Sequence, residues 1–269
     1  MMNLFDMSGK VCLVTGALGL LGKAHCTALQ TAGGSVIVTD LDEIGCIDYA
    51  NTLGSNCFGK SLDITSQQSI DKICMFIETN FGKIDVLINN ASINEKVEDS
   101  NYFDVSQHEP HNFDINEWNR LVNVNLTGTY MLTRSIGKIM CEQKSGSIIN
   151  IGSTYGIVAP NQNLYKDKHG NQLFIKSAAY PATKSAIVGL TKYFASYYGS
   201  FGVRVNTLSP GGVLNGQNDD FVHNYVDNTL LKRMAHPSDY MGPILFLASN
   251  ASIYMTGANL VVDGGYCAI

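Results

Sequence analysis

Hydrophobic and polar residues alternate along the chain in two kinds of pattern. Short apolar runs, rich in β-branched residues and typical of strands buried on both faces, occur at 10–15, 35–39, 57–62, 84–89, 146–151, 204–208 and 259–262. Apolar residues recur at helical spacing between these runs, near 20–32, 43–54, 66–80, 116–143, 179–199, 217–229 and 238–249. Strands that alternate with helices predict a parallel sheet with right-handed crossovers.

No linker, repeat or low-complexity stretch interrupts this alternation in the 269 residues. The pattern therefore predicts one doubly wound (Rossmann) α/β domain over 1–269, a parallel seven-stranded sheet with helices on both faces. Two long polar stretches, 93–115 and 157–178, follow the fourth and fifth strands. Because ligands bind outside the carboxyl ends of such strands, both stretches are predicted to be active-site loops.

A glycine-rich stretch, TGALGLLG at residues 15–22, directly follows the first predicted strand. Such a turn lets the backbone approach a pyrophosphate, which sits at the positive N-terminus of the next helix. Three glycines can also form an ordinary turn, so the preceding strand and the following helix carry the interpretation. The candidate cofactor contacts of this turn are Gly16, Gly19, Leu21 and Gly22.

Asp40 ends the second predicted strand, eighteen residues after Gly22. A carboxylate there can stabilise a turn, but in a dinucleotide-binding unit it accepts hydrogen bonds from the ribose hydroxyls. A 2′-phosphate about 4 Å away would be repelled by about 4 kcal/mol at an effective dielectric constant of about 20. Ala17 and Leu18 offer no positive charge to offset this repulsion. The sequence therefore predicts NAD (NADH) as the cofactor rather than NADP(H).

Four polar residues form a candidate catalytic set. Tyr180 and Lys184 stand four residues apart in YPATK, which places both on one face of a predicted helix. Ser153 follows the fifth strand in IINIGSTYG, and Asn125 lies in VNVNLTG inside a long predicted helix. Each of the four alone is typical of a surface pair, a turn or a polar helix position. Their occurrence together on a dinucleotide-binding frame predicts catalysis.

These motifs resemble the short-chain dehydrogenase/reductase family over essentially the whole chain. Besides the glycine turn and YPATK, the chain carries INNAS after the fourth strand, LSPGG after the sixth and VVDGG near its C-terminus. The resemblance implies an NAD(H)-dependent oxidoreductase that interconverts a secondary alcohol and a ketone. A sugar, surface-polysaccharide or flagellin-modification enzyme is the type we expect.

The resemblance also implies a role for each matching residue. Tyr180 would be the acid/base, Lys184 its electrostatic partner and a ribose ligand, and Ser153 the residue that polarises the substrate oxygen. Asn125 would hold a water in the proton relay. The remaining cofactor contacts would be Asp63 and Ile64 at the adenine, Asn90 beside the cofactor, and Pro210 and Val213 at the nicotinamide.

Tyrosine titrates near pH 10, so a tyrosine base needs a lowered pKa. Action near neutrality requires a downward shift of about three units, or ~4 kcal/mol. The ammonium of Lys184 and the positive ring of NAD⁺ are charges of the right sign to produce this shift. The sequence therefore predicts a lowered pKa for Tyr180 when Lys184 is charged and NAD⁺ is bound.

Two residues and one spacing depart from the family pattern. Ser92 stands where the family has the glycine of NNAG, and Asn215 replaces a threonine five positions after Pro210. The even glycine spacing is that of the longer, epimerase-type branch. The last strand and VVDGG are nevertheless reached within 269 residues, which favours the short, single-domain form.

The interval between Ser153 and Tyr180 is 27 residues, which is longer than in most of the family that the chain resembles. It contains NLYKDKHGNQLFIK, with lysines at 166, 168 and 176. A tolerated surface insertion is one explanation, because doubling a loop costs only about 0.6 kcal/mol. Its ends lie at two catalytic residues, however, and its polarity argues against an apolar substrate. We predict a hydroxylated, anionic substrate such as a sugar acid or a nucleotide-linked sugar, bound by Ser153, Lys166, Lys168 and Tyr180.

Charge and composition limit the classes of partner. The formal net charge is −5 without a Lys/Arg-rich block, which argues against nucleic-acid and anionic-membrane partners. No apolar run approaches the roughly 20 residues of a membrane span, and the N-terminus lacks a secretion signal. Seven cysteines without a CxxC pair indicate a reducing compartment. We predict a cytoplasmic protein.

Other candidate features are weaker. His108 and His111 lie in a loop without a clustered third ligand, which predicts a solvated rim rather than a metal site. The apolar stripes of the helices at 116–143 and 179–199 are typical of a core, while the resemblance implies that these helices form the faces of a homotetramer or homodimer.

Two alternative functions remain open. A nucleotide-sugar epimerase-like enzyme would consume no net cofactor. A catalytically inactive NAD-binding regulator would have no need of the residue set at Asn125, Ser153, Tyr180 and Lys184.

Overall fold

The computed structural model describes residues 4–95 and 104–269. Within these ranges a single sheet of parallel strands has the order β3-β2-β1-β4-β5-β6-β7. The predicted seven-stranded parallel sheet is confirmed. Its strands are β1 (Val11–Thr15), β2 (Ser35–Asp40), β3 (Cys57–Ser61), β4 (Val86–Asn89), β5 (Gly146–Ile151), β6 (Val203–Pro210) and β7 (Asn259–Val262).

Helices connect the strands and cover the sheet. They are α1 (Leu20–Thr31), α2 (Glu43–Leu53), α3 (Gln67–Phe81), α4 (Ile115–Val122), α5 (Thr129–Glu142), α6 (Ala179–Tyr198), α7 (Asp219–Asp227) and α8 (Met241–Ala248). The single helix predicted at 116–143 is wrong in one respect, because a π-helical segment, Asn123–Gly128, separates α4 from α5. Such segments often occur at functional sites. In the described ranges, no helix combines the length and apolarity needed to cross a bilayer.

The apolar core consists of a separate layer on each face of the sheet. Val14 of β1 belongs to the layer that includes Leu29 of α1 and Leu247 of α8. Its neighbour Leu13 belongs to the opposite layer, with Leu132 of α5. Because successive side chains of a strand point to opposite faces, burial on both faces requires continuous apolar runs. This requirement explains why the strands could be predicted.

The strand order reverses between β1 and β4, which pair although β2 and β3 lie between them in the chain. The connections that leave the carboxyl ends of β1 and β4 therefore diverge. In open parallel sheets this divergence creates a crevice that binds ligands.

The segment 157–178 is partly a hairpin, not an open polar loop. Lys166 pairs with Gln172 in an antiparallel bridge, and Leu173 N donates to Tyr165 O over 2.9 Å. Tyr165 and Phe174 are buried in a third apolar cluster together with Phe221 and Tyr225 of α7. The described part of the other predicted loop, 93–115, includes a 3-10 turn at Val105–His108.

Candidate active site

One large cavity, of about 1010 Å³, opens at the carboxyl ends of the central strands. Its lining includes residues that follow β1, β4, β5 and β6 directly or form their ends. The predicted site residues that line it are Gly16, Gly19, Leu21, Asp40, Asp63, Ile64, Asn90, Ser153, Tyr180, Lys184, Pro210 and Val213. The predicted residues that are absent from the lining are Gly22, Asn125, Lys166 and Lys168.

The glycine turn is shaped by close backbone approaches. Gly16 has φ +60°, and a Cβ there would lie 2.8 Å from Ala91 Cα. A Cβ on Gly22 would lie 2.2 Å from Gly16 O and 2.7 Å from Ala17 Cα. Gly22 therefore lets α1 pack against the turn, while Gly16 and Gly19 form the cavity surface.

Asp40 is fixed beside this turn by two backbone amides. Leu18 N donates to Asp40 Oδ2 over 3.1 Å, and Leu41 N donates to Oδ1 over 2.8 Å. The carboxylate is therefore oriented at the cavity edge, where the sequence predicted an acceptor for ribose hydroxyls. Sequence reasoning missed Lys23, one helical turn into α1, which also lines the cavity and whose Nζ lies 5.6 Å from the Tyr49 ring centroid.

Asn90 ties the ends of β1 and β4 together at the crevice. Its Nδ2 donates to Thr15 O and to Gly16 O, each over 2.9 Å, so the amide supports the glycine turn from behind. Thr15 Oγ1 in turn accepts hydrogen bonds from the backbone N–H groups of Asn90 and Ala91. The INNAS motif therefore acts on the geometry of the turn.

Asp63 and Ile64 lie at the wall after β3. Asp63 Oδ1 accepts hydrogen bonds from Thr65 N and Thr65 Oγ1, over 2.8 and 2.7 Å. A Cβ on Gly128 would lie 2.8 Å from Ile64 Cγ1, so this wall packs closely against the end of the π-helical segment.

Tyr180, Ser153 and Lys184 meet in the cavity. The Ser153 side chain lies near enough to the Tyr180 hydroxyl to lower its pKa. Ser153 Oγ accepts a hydrogen bond from Tyr155 N over 3.1 Å. One turn further along α6, Lys184 Nζ donates to Ile151 O over 2.8 Å and lies 5.5 Å from the Tyr180 ring centroid.

The ionisation of this set reflects its burial. Burial raises the pKa of Tyr180 to about 12, against a smaller lowering by the nearby Ser153 side chain. Burial also lowers the pKa of Lys184 to about 8. In the protein without NAD⁺, the cost of burying a phenolate is thus the largest effect on the pKa of Tyr180. The lowering expected when NAD⁺ is bound stays a prediction.

Asn125 is buried in the π-helical segment and does not line the cavity. Its Oδ1 accepts from Ile93 N over 2.8 Å, and its Nδ2 donates to Ile93 O over 2.9 Å. The same Nδ2 donates to Thr183 Oγ1 over 3.3 Å. Asn125 thus joins the segment after β4 to the turn of α6 that carries Lys184. Its predicted role in holding a water stays a prediction.

Lys166 and Lys168, the lysines predicted to contact the substrate, do not line the cavity, and their contacts with a substrate stay a prediction. Lys166 occupies the hairpin rung opposite Gln172, and Lys168 is exposed at the turn that closes the hairpin. Side chains alternate between the two faces of a strand pair. When Tyr165 enters the apolar cluster, Lys166 therefore faces the other way and does not reach the cavity.

Lys176 is the lysine of this segment that lines the cavity. Its side chain is only 4% exposed and pairs with Glu95, Nζ to Oε2 at 3.5 Å. His108 was predicted to lie on a solvated rim, but its ring is buried 5.3 Å from the Phe174 centroid. Sequence reasoning named Lys176 only as one cation of the loop and missed Glu95.

Aromatic side chains form another part of the cavity wall. The hydroxyls of Tyr155 and Tyr165 lie 3.1 Å apart, and burial raises the pKa of both. The Tyr225 hydroxyl accepts a hydrogen bond from Gly212 N over 2.5 Å. This wall therefore offers apolar ring faces with polar tips.

The two residues that depart from the family pattern, Ser92 and Asn215, both line the cavity. Asn215 N donates to Gln217 Oε1 over 2.8 Å. Val213 pairs with Ala235 in an isolated parallel bridge, which fixes the segment after β6.

The residues of the cavity fit a nicotinamide dinucleotide. A Cβ on Gly16 would fill the space that the turn leaves at the end of β1. The N-cap of α1 is Gly19, which makes no side-chain cap hydrogen bond, so no side chain competes there for the free N–H groups of the first turn. Among the residues at 4–95 and 104–269, no group of three His, Cys, Asp or Glu side chains could hold a metal ion.

Comparison with known proteins agrees with this geometry. Residues 16–267 match the family described as enoyl-(acyl carrier protein) reductase. D-threitol dehydrogenase of Mycolicibacterium smegmatis is 30% identical, over 97% of this chain and 94% of that protein. A 3-alpha-(or 20-beta)-hydroxysteroid dehydrogenase of Mycobacterium tuberculosis is 35% identical, over 96% and 89%.

Two solved structures share the architecture. A short-chain dehydrogenase of Leptospira borgpetersenii with bound NAD⁺ has a TM-score of 0.85 and 32% identity, over 99% of this chain and 96% of that one. A gluconate 5-dehydrogenase of Burkholderia cenocepacia in complex with NADP and tartrate has a TM-score of 0.86 and 25% identity, over 99% and 98%. The chain belongs to the short-chain dehydrogenase/reductase family and is an oxidoreductase of CH–OH groups.

Proposed function

We propose that the protein interconverts a secondary alcohol and a ketone on a polar, carbohydrate-like substrate with NAD(H), and that Tyr180 is the acid/base. The observation that carries this proposal is the meeting of Tyr180, Ser153 and Lys184 in one cavity that also contains the glycine turn and Asp40. NAD, when bound, would supply hydride transfer to or from its nicotinamide ring.

The side chains of this set divide the work of proton transfer. Tyr180 accepts the hydroxyl proton in oxidation and returns it to the carbonyl oxygen in reduction. Ser153 Oγ already accepts a hydrogen bond from Tyr155 N, so its own O–H donates to the substrate oxygen or to the tyrosinate. Lys184, held by Ile151 O, supplies the positive charge that favours the tyrosinate.

Alcohol oxidation should increase with pH and then level off. Burial keeps Tyr180 protonated at neutral pH, with a pKa raised to about 12, so each step up in pH increases the reactive tyrosinate fraction. Above the Lys184 pKa of about 8, loss of the ammonium charge removes support for the tyrosinate. Ketone reduction needs protonated Tyr180 and should not rise. Initial rates in both directions across this pH range test the assignment, and oxidation that falls as pH rises toward 8 would contradict it.

NAD(H) should bind at least about tenfold more tightly than NADP(H), a difference of ~1.4 kcal/mol. The reason is the fixed carboxylate of Asp40, which can accept from ribose hydroxyls but would repel a 2′-phosphate. Lys23 offers a competing positive charge at the same cavity, so the measured ratio reports which charge dominates. Calorimetric titration with NADH and NADPH measures this ratio directly.

A matched pair of variants isolates the carboxylate. Asp40→Ser removes the carboxylate and should therefore reduce the preference for NADH over NADPH, measured as the ratio of their dissociation constants. Asp42→Ser removes an equal charge two residues away, outside the cavity, and keeps a side chain that can cap α2. Equal affinities for the two cofactors in the unaltered protein would sink the proposal of NAD preference.

A polar substrate is supported by the groups near Tyr180. The described lining there includes Asn94, Glu95 and Lys176 as well as tyrosine hydroxyls. Polyol and sugar-acid dehydrogenases occur among the relatives, which agrees with such a lining.

We also propose a cytoplasmic homotetramer or homodimer that uses α6 as a contact face. Phe194 is buried in the core, whereas Tyr193 and Tyr197 are 63% and 62% exposed on the same helix. Large exposed aromatic side chains are typical of interfaces.

A further inference from the structure

A buried ion pair lies on the cavity wall outside the residues that the family resemblance names. Glu95 and Lys176 have side chains that are 2% and 4% exposed, with Lys176 Nζ 3.5 Å from Glu95 Oε2. Lys176 Nζ also donates to Asn94 Oδ1 and, over 2.5 Å, to Glu95 O. The ammonium is therefore held on several sides by the segment that follows β4.

The pair lies beside the reacting tyrosine. Lys176 Nζ is 5.1 Å from the ring centroid of Tyr180 and 5.7 Å from that of Phe174. Glu95, Lys176, Phe174 and Tyr180 all line the cavity. A substrate whose oxygen reaches Tyr180 would therefore have its neighbouring carbons close to this pair.

Lys176 donates hydrogen bonds to neighbouring oxygens, whereas the carboxylate of Glu95 accepts none from the described residues. Both oxygens of this carboxylate are buried. A buried acceptor left without a donor is unfavourable, so a ligand that brings a donor is stabilised there. Hydroxyl groups are donors, whereas a substrate carboxylate offers only acceptors and would be repelled by Glu95.

The local charge agrees with this reading. The pair carries one positive and one negative charge, and burial lowers the pKa of the nearby His108, whose imidazole is therefore neutral at pH 7. The positive charge of Lys176 is already compensated, which differs from the anion-binding lysines that the sequence predicted for this segment.

We propose that the Glu95–Lys176 pair determines substrate specificity, and that it selects a neutral polyol or ketose whose hydroxyl beside the reacting carbon donates to Glu95. This inference rests on the proposed function, since it concerns the substrate of the same site. The preferred substrate would carry no carboxylate or phosphate next to the reacting carbon.

The test compares neutral and anionic substrates of equal length. Alditols and the corresponding aldonates are assayed with NAD⁺, and kcat/KM is measured for each. The unaltered protein should prefer the best alditol to the best aldonate by roughly tenfold or more, the size expected of a hydrogen bond to a charged group. This ratio of kcat/KM values is measured on the unaltered protein and does not depend on how a variant folds. An aldonate preference would overturn the proposal.

A charge-removing variant adds a second test. Glu95→Gln leaves the Lys176 charge uncompensated, so the alditol-to-aldonate ratio should fall by about tenfold. Glu142→Gln makes the same change on the exposed surface of α5, where the side chain is 67% exposed, and should leave the ratio unchanged. A Glu95→Gln protein that loses activity equally toward both classes would assign Glu95 a structural role and overturn the proposal.

Failure of this inference can be told apart from failure of the proposed function. If neither panel is oxidised but a simple secondary alcohol such as 2-butanol reduces NAD⁺, the specificity proposal fails and the proposed function stands. If NAD⁺ is reduced by no secondary alcohol of any kind, both fail.

Discussion

Tyr180→Phe should lower kcat for alcohol oxidation by about a hundredfold or more, the usual contribution of general acid–base catalysis. The substitution removes only the hydroxyl, which faces Ser153 and which we propose exchanges a proton with the substrate. The ring, which lies 5.1 Å from Lys176 Nζ and 5.5 Å from Lys184 Nζ, is retained. NADH affinity should therefore stay nearly unchanged.

NADH formation in a rapid assay and NADH titration of the same preparation measure the two quantities. Tyr193→Phe removes a hydroxyl from an exposed position of the same helix and should leave kcat unaffected. Normal turnover by the Tyr180→Phe protein would show that another residue is the acid/base, and the site assignment would then fail.

The same assay separates the three candidate functions. An oxidoreductase accumulates one NADH for each alcohol oxidised, and this accumulation should disappear with Tyr180→Phe. An epimerase-like enzyme converts its substrate without net NADH, and an inactive regulator binds NADH without turnover. The relatives that share the fold are named as dehydrogenases, which supports the first outcome.

The parts of the fold that the sequence predicted are those set by local pattern. Strands buried on both faces require uninterrupted apolar runs, and Gly146–Ile151 and Asn259–Val262 were predicted with their observed bounds. The glycine turn was predictable for a similar reason, since its residues are close in the chain and meet a strand and a helix on either side. The cavity lining contains the predicted Gly16, Gly19 and Asp40.

Features that depend on distant partners were missed. The sequence does not distinguish Lys166 and Lys168 from Lys176, which lines the cavity, because polarity alone does not reveal which face of a hairpin a side chain occupies. That face is set by Tyr165 and Phe174, which pack on α7 more than forty residues later. Glu95 gained a role only through Lys176, a partner 81 residues away.

The π-helical segment and the high pKa of Tyr180 in the protein without NAD⁺ were not predicted, for a different reason. The spacing of apolar residues indicates which face of a helix is buried, but it does not distinguish α-helical from π-helical hydrogen bonding. The π-helical segment at Asn123–Gly128 therefore left no signal in the sequence. For Tyr180, the sequence named the nearby charge but could not weigh it against burial, which raises the pKa to about 12.

Gly22, the last glycine of the evenly spaced turn, does not line the cavity, but its replacement should lower both stability and cofactor affinity. A Cβ added at Gly22 would lie 2.2 Å from Gly16 O and 2.7 Å from Ala17 Cα, and both contacts are backbone atoms that no side-chain rotation can move. Gly22→Ala therefore requires the first turn of α1 to shift away from the end of β1. Overpacking of this kind costs about 3 kcal/mol.

The shift should also disturb the cofactor site, because α1 begins at Leu20, directly after Gly19 of the turn. We expect Gly22→Ala to lower the midpoint of urea unfolding and to weaken NADH binding by at least about tenfold, or ~1.4 kcal/mol. Gly242→Ala is the matched control, since its added Cβ would meet nothing within 4 Å and alanine favours the helix by up to about 1 kcal/mol. If Gly22→Ala matched Gly242→Ala in both stability and NADH affinity, close packing of α1 on the turn could not be what forms the dinucleotide site.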